Sequence, residues 1–108
     1  MIVEMRTYTL APGSTTRYFA LLADKGLAVQ TAILGDLQGC YAVEVGDLNR
    51  VIHLWGFDSF EDRLLRRARL WSDAAWLAFS REALPIVLNQ ESQILTPAPF
   101  MRLPAPAT

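Results

Sequence analysis

Ile2 to Leu10 alternates apolar with polar side chains and is rich in Val, Ile, Thr and Tyr, which predicts a strand ending at the Pro12-Gly13 turn. From Ser14 to about Leu34 the period lengthens. Tyr18, Leu22, Val29 and Ile33 form an apolar stripe with Arg17, Asp24, Lys25 and Gln30 off it, predicting a long amphipathic helix that Gly35-Asp36 stops. Gln38 to Val45 predicts a second strand, with Tyr41, Val43 and Val45 on one face and Cys40, Ala42 and Glu44 on the other. The turn-rich Gly46-Asp47-Leu48-Asn49 then predicts a hairpin into a third strand, Arg50 to Phe57. Ser59 and Asp62 have the spacing of a capping box, opening a helix from Phe60 to Trp71 with Phe60, Leu64, Ala68 and Trp71 on one side. Ser72-Asp73 offers a fresh N-cap, so the helical region jogs there and resumes through Trp76 and Phe79 to about Ala83. Pro85 blocks continuation, Ile86 to Leu95 is the last strand, and the proline-rich 96–108 segment predicts an extended tail.

The order β-α-β-β-α-β is the split βαβ, ferredoxin-like arrangement, an α+β fold whose antiparallel sheet runs 4-1-3-2 with both helical layers on one face. One domain over 1–108 is expected. The third strand is apolar or aromatic on both sides, Ile52 and Leu54 one way and Val51, His53, Trp55 and Phe57 the other. With Trp55 and Phe57 assigned to the bare sheet face, leaving them wet would forfeit roughly 1.5 to 3 kcal/mol each. A second copy laid on that face would bury them, so an isologous homodimer is expected.

Composition narrows the function classes. The chain has 108 residues, 52% of them hydrophobic, enough for one self-sufficient core. Its net charge of -1 lacks the basic footprint that nucleic acid or an anionic membrane selects. A single cysteine and a single histidine rule out an internal disulfide and a protein-only zinc tetrahedron. Glu4 and Arg6 interrupt what would be the apolar stretch of a signal peptide, and no run approaches membrane-spanning length, so a cytoplasmic protein is expected. Gly-x-Ser-x-Gly, Walker, dinucleotide and His-Glu-x-x-His motifs are all absent, and no cofactor is expected.

Chemistry then falls to one group. Glu4, Arg6 and Tyr8 share a face of the first strand and His53 and Trp55 a face of its neighbour; all five are expected on the uncovered side. Glu44 lies near them on the second strand, and Asn89 and Glu91 of the last strand are plausible additions. One reading makes this a small-molecule pocket, with Arg6 holding an anion or carbonyl, His53 exchanging protons near neutral pH, Glu91 or Glu4 orienting it, and Tyr8 and Trp55 as walls. The other makes it an ion pair and aromatic filling that fix dimer register. Arg63, Arg66, Arg67 and Arg69 are read as a solvated face with Asp62 pairing Arg66, and Cys40 as an inert thiol.

Several stretches resemble the NIPSNAP family: Ile2 to Leu10 with Pro12-Gly13, the Leu48-Asn49-x-Val51-x-His53-Leu54-Trp55 segment, Arg63 to Arg69 followed by Asp73 and Trp76, and Gln90 to Phe100. The resemblance implies membership of the dimeric α/β barrel superfamily, in which two ferredoxin-like units pack sheet to sheet. That superfamily includes cofactor-independent monooxygenases, isomerases and haem enzymes, while animal NIPSNAP proteins are associated with mitochondria and with signalling through protein partners. Fold alone does not select among these. Two expectations follow: a homodimeric barrel binding a small, partly apolar metabolite, with acid/base or oxygen-dependent chemistry, or a non-catalytic dimeric protein-interaction module.

Overall fold

The computed structural model describes residues 1–101. The elements run β1 (Ile2–Leu10), α1 (Thr15–Leu21), a π-helical segment (Leu22–Gly26), α2 (Leu27–Leu34), β2 (Asp36–Ala42), β3 (Arg50–Phe57), α3 (Phe60–Leu70), α4 (Ala74–Ala83), a 3₁₀ turn (Leu84–Ile86) and β4 (Val87–Leu95). The sheet is antiparallel in the order β2-β3-β1-β4, the expected 4-1-3-2 read from its other edge. This is the ferredoxin-like α+β fold. Of the proline-rich tail, 102–108 lies outside the described residues.

Local chemistry sets the boundaries. Ser59 Oγ accepts the Asp62 amide at 3.0 Å, while the Asp62 carboxylate accepts the Asp58 amide, so the box closes one residue further back than its usual form. Asp73 caps α4 by accepting the Trp76 amide at 3.0 Å. Gly35, at φ 93°, ends α2 and reverses the chain. With no Cβ there, Arg66 Nη1 comes in to hydrogen-bond the Ile33 carbonyl at 3.0 Å. Because the reversal is so tight, β2 starts at Asp36 and is spent by Ala42, with an irregularity between Leu37 and Gly39; Val45, expected in the strand, is exposed in the turn.

Two helical faces differ from the periodicity, each for a physical reason. The π-helical segment inserts one extra residue into the first helical stretch, and the buried positions become Tyr18, Leu22, Gly26, Gln30 and Leu34. Val29 and Ile33 are only half-buried, and the polar Gln30 takes the core side. In α3 the expected apolar stripe is turned outward: Phe60, Leu64 and Trp71 are exposed, and Arg63, Arg66, Arg67 and Leu70 face the fold. The reason lies in the sheet beneath, where a buried carboxylate needs guanidinium partners.

The sheet faces are likewise exchanged relative to expectation. Ile2, Glu4, Arg6, Tyr8 and Leu10 of β1 share a face with Val51, His53, Trp55 and Phe57 of β3, and this face lies under the helices. The registers Glu4 opposite Trp55 and Arg6 opposite His53 lock the two strands' parities together, so the bulkiest residues go inward as a set. Trp55 and Phe57 are therefore core residues packed with Leu10, Leu34, Val51 and Leu70. The opposite face carries Val3, Met5, Thr7 and Thr9 beside Arg50, Ile52 and Leu54, with Glu91, Gln93 and Leu95 on β4. Among the described residues, no helix shows a hydrogen bond, ion pair or ring contact to that face.

Candidate ligand site under the helical layer

Glu4 is 0% exposed, and its Oε2 accepts hydrogen bonds from Arg6 Nη1 at 3.0 Å, Arg63 Nη2 at 2.7 Å and Ser92 Oγ. Burial alone would raise this carboxyl's pKa, but Arg63, Ser92 and Arg6 together bring it from 4.5 down to about 2. Arg6 also donates through Nε to the Tyr8 hydroxyl at 2.8 Å and reaches Gln90 Oε1 at 3.4 Å. Arg67, one helical turn beyond Arg63, makes no hydrogen bond or ion pair among the described residues. Burial and the neighbouring Arg6 charge both act against its own charged form.

His53 is sequestered at 1% exposure. Its Nε2 lies 3.1 Å from the Tyr18 hydroxyl and its Nδ1 3.9 Å from Cys40 Sγ, with the Tyr8 ring edge-on at 5.3 Å. Burial, then the Arg6 charge, lowers its pKa from 6.5 to about 4, so the imidazole is neutral at pH 7. Proton exchange near neutrality, expected of an ordinary histidine, is not what this environment gives. Burial also pushes the Tyr18 phenol well above its usual range, keeping it protonated.

A cavity opens beside this cluster. It has a volume of about 40 Å³ and is partly open to solvent. Arg6 and Tyr8 of β1, Tyr18 and Gln30 of the first helical stretch, Arg67, Leu70 and Trp71 at the end of α3, Trp76, Phe79 and Ser80 of α4, and Val87 and Gln90 of β4 line it. Two buried polar atoms of the lining, Gln30 Oε1 and Trp76 Nε1, have no partner among the described residues. Such atoms are rare in folded proteins and each calls for an explanation.

Of the residues predicted from sequence, the structure brings Glu4, Arg6, Tyr8 and His53 together, but between sheet and helices instead of on the open face. Trp55 is 0% exposed beneath them and is not part of the cavity lining. Glu91 stands opposite Thr7 on the other sheet face, exposed, and cannot orient His53; Asn89, opposite Thr9, shares that face. Glu44 is exposed past the end of β2. Tyr18, Gln30, Arg67 and Trp76 were not anticipated. The available signal was the four-residue spacing of Arg63 and Arg67, which places two guanidinium groups on one helix face opposite Glu4. Among the described residues there is no cluster of three or more His, Cys, Asp or Glu that could hold a metal, and no helix is long and apolar enough to cross a membrane.

Comparison with known proteins agrees with this fold. The profile of the NIPSNAP family matches residues 3–102. A crystal structure of a NIPSNAP family protein with unknown function from Agrobacterium tumefaciens is similar at 38% identity and a TM-score of 0.92, covering 94% of this chain and 91% of that one. Protein NipSnap homolog 3A of Homo sapiens is 31% identical over 105 residues, covering 95% of this chain and 42% of the human protein. The chain spans between 19% and 42% of the length of such curated relatives. A Nitrosomonas europaea protein provisionally assigned as an antibiotic biosynthesis monooxygenase matches with a TM-score of 0.66 at 9% identity, over 90% of this chain and 98% of that one, a likeness of fold alone.

Proposed function

Given that the chain belongs to the NIPSNAP family, we propose that it binds a small, partly apolar molecule in the cleft between sheet and helical layer and works as a homodimer. The observation that carries the reading is that two residues lining the cavity, Gln30 and Trp76, each hold an orphaned polar atom, beside apolar walls of Leu70, Trp71 and Phe79. A buried acceptor or donor left unpaired costs about 1 to 3 kcal/mol, which a ligand with a matching donor and acceptor would recover. When His53 Nε2 carries the ring proton it donates to the Tyr18 oxygen, freeing the Tyr18 hydroxyl hydrogen for a ligand atom. Binding is the step these groups support.

The homodimer reading rests on the open sheet face. Val3, Met5, Ile52 and Leu54 give it an apolar centre, and Arg50 and Glu91 supply charges of both signs on the same face, a self-complementary surface that a second copy would fit. The ligand site would then sit inside each protomer and not between the two sheets.

A metabolite thermal-shift screen on the wild type beside Gln30→Leu tests the binding. The variant removes the orphaned acceptor, so the unliganded melting temperature is expected to rise while any hit is weakened. Hits indifferent to Gln30→Leu, or no hit across a broad library, would overturn the proposal and leave ahead the interaction-module reading, to which the outward Phe60, Leu64 and Leu65 of α3 belong. Sedimentation equilibrium tests the dimer, since a monomer at high concentration refutes it.

A further inference from the structure

Resting on the cleft reading, we infer that the ligand is a carboxylic acid with an apolar body, its carboxylate seated against Arg67 in the cleft. The argument is one of charge. Arg6 and Arg63 pair with a single carboxylate, Glu4, and Arg67 lies within reach of its charge without pairing, while His53 is neutral and Tyr18 protonated. Two positive charges are left over in a partly desolvated space. Arg63 and Arg6 spend hydrogen bonds on Glu4, and Arg6 adds Tyr8 and Gln90; Arg67 spends none among the described residues. A cation kept from water without a counter-ion is costly, and an arriving anion cancels that cost, so the excess favours anionic ligands over neutral ones of equal shape.

The surroundings specify the rest. A guanidinium presents a planar fork that fits a two-oxygen carboxylate, and that of Arg67 belongs to the cavity lining. Trp76, another lining residue, carries an indole N–H with no partner among the described residues. Leu70, Trp71 and Phe79 also line the cleft, where an aromatic or aliphatic body gains burial. Gln30 Oε1 is an acceptor with nothing to accept, so a ligand carrying a hydroxyl or amine hydrogen near its carboxylate satisfies one more atom.

The test is a matched panel: phenylacetate, mandelate and hexanoate, their neutral primary amides, and phenyl phosphate, each titrated into the wild type and Arg67→Met while the Trp76 indole N–H is followed by NMR. The expected result is that the carboxylates bind the wild type at least tenfold tighter than their amides, that the preference disappears in Arg67→Met, and that phenyl phosphate is weaker than the carboxylates. Amides that bind as tightly as acids, or a preference that survives Arg67→Met, overturn the anion inference and leave the cleft reading standing. A panel in which nothing disturbs the Trp76 signal overturns the anion inference, and the broad library screen then decides the cleft reading. A ligand-free measurement keeps the charge argument accountable: added sodium chloride should raise the wild-type melting temperature by screening the excess, and Arg67→Met should melt no lower than wild type and lose that salt response. A variant that melts lower, with the salt response intact, refutes the excess itself.

Discussion

Replacing Glu4 by Gln removes the charge that holds Arg6 and Arg63 in place while keeping the side chain's size. The carboxylate is fully buried and accepts from both guanidinium groups, so its loss leaves two cations facing an amide that is a poorer acceptor. Breaking a buried pair by removing one partner costs about 3 to 5 kcal/mol. The depressed pKa supplies an independent magnitude. A carboxyl carried from 4.5 to about 2 on folding contributes about 3 kcal/mol, at about 1.36 kcal/mol per pH unit. Because the folded value is the lower one, this contribution is complete above pH 4.5 and is lost as the pH falls from there toward 2. By pH 3 about 2 kcal/mol of it should be gone. Urea unfolding followed by tryptophan fluorescence, on wild type and Glu4→Gln at intervals from pH 7 to pH 3, reads both quantities. The two proteins should differ by about 3 kcal/mol at pH 7, and the difference should shrink by about 2 kcal/mol at pH 3. A gap below about 1 kcal/mol at pH 7, or one that stays constant down to pH 3, would show that the Glu4 carboxylate is not ionised and held as the geometry requires.

His53 is the only histidine, so its ring protons titrate without ambiguity in an NMR pH series. They should stay in the neutral position until pH approaches 4, and the associated stability, complete above pH 6.5, should decline as pH falls from there through 4; a midpoint near 6.5 would contradict the burial argument. Asp73→Ala removes the α4 cap and should lower stability by about 0.5 to 2 kcal/mol in the same urea assay, with no change in ligand preference. Gly26→Ala would set a Cβ 2.9 Å from the Phe79 ring and should cost about 1 to 3 kcal/mol, an effect that Phe79→Leu in the same chain should partly relieve.

What the sequence makes legible here is the order of elements and where they stop. Alternation marks β1, the turn residues mark the hairpin, and Ser59, Asp73, Gly35 and Pro85 punctuate the helices through hydrogen bonds and steric limits that depend only on neighbours. Sheet order follows from those plus handedness. Face assignment does not follow, because an alternating strand reads the same in either parity. Placing Glu4 and Arg6 toward solvent is the cheaper choice for an isolated strand. It fails because Arg63, 59 residues away, joins Arg6 and Ser92 on the Glu4 carboxylate and supplies compensating charge from above. The outward Phe60 and Leu64 and the inward Arg67 are the other half of that exchange. The grouping of Glu4, Arg6, Tyr8 and His53 survives because the strand register, not the choice of face, brings them together.

The single extra residue at Leu22–Gly26 has a consequence of its own. One added residue rotates everything downstream by about 100° around the helix axis, so this short bulge works as a phase shifter. It sends an amide side chain, Gln30, to a place where regular winding would put an aliphatic one, and opens a polar spot in an otherwise oily wall. Excising one residue from the bulge should restore regular winding while Gln30 and Leu34 keep the core side, because the deletion takes back the one residue that the bulge accommodates.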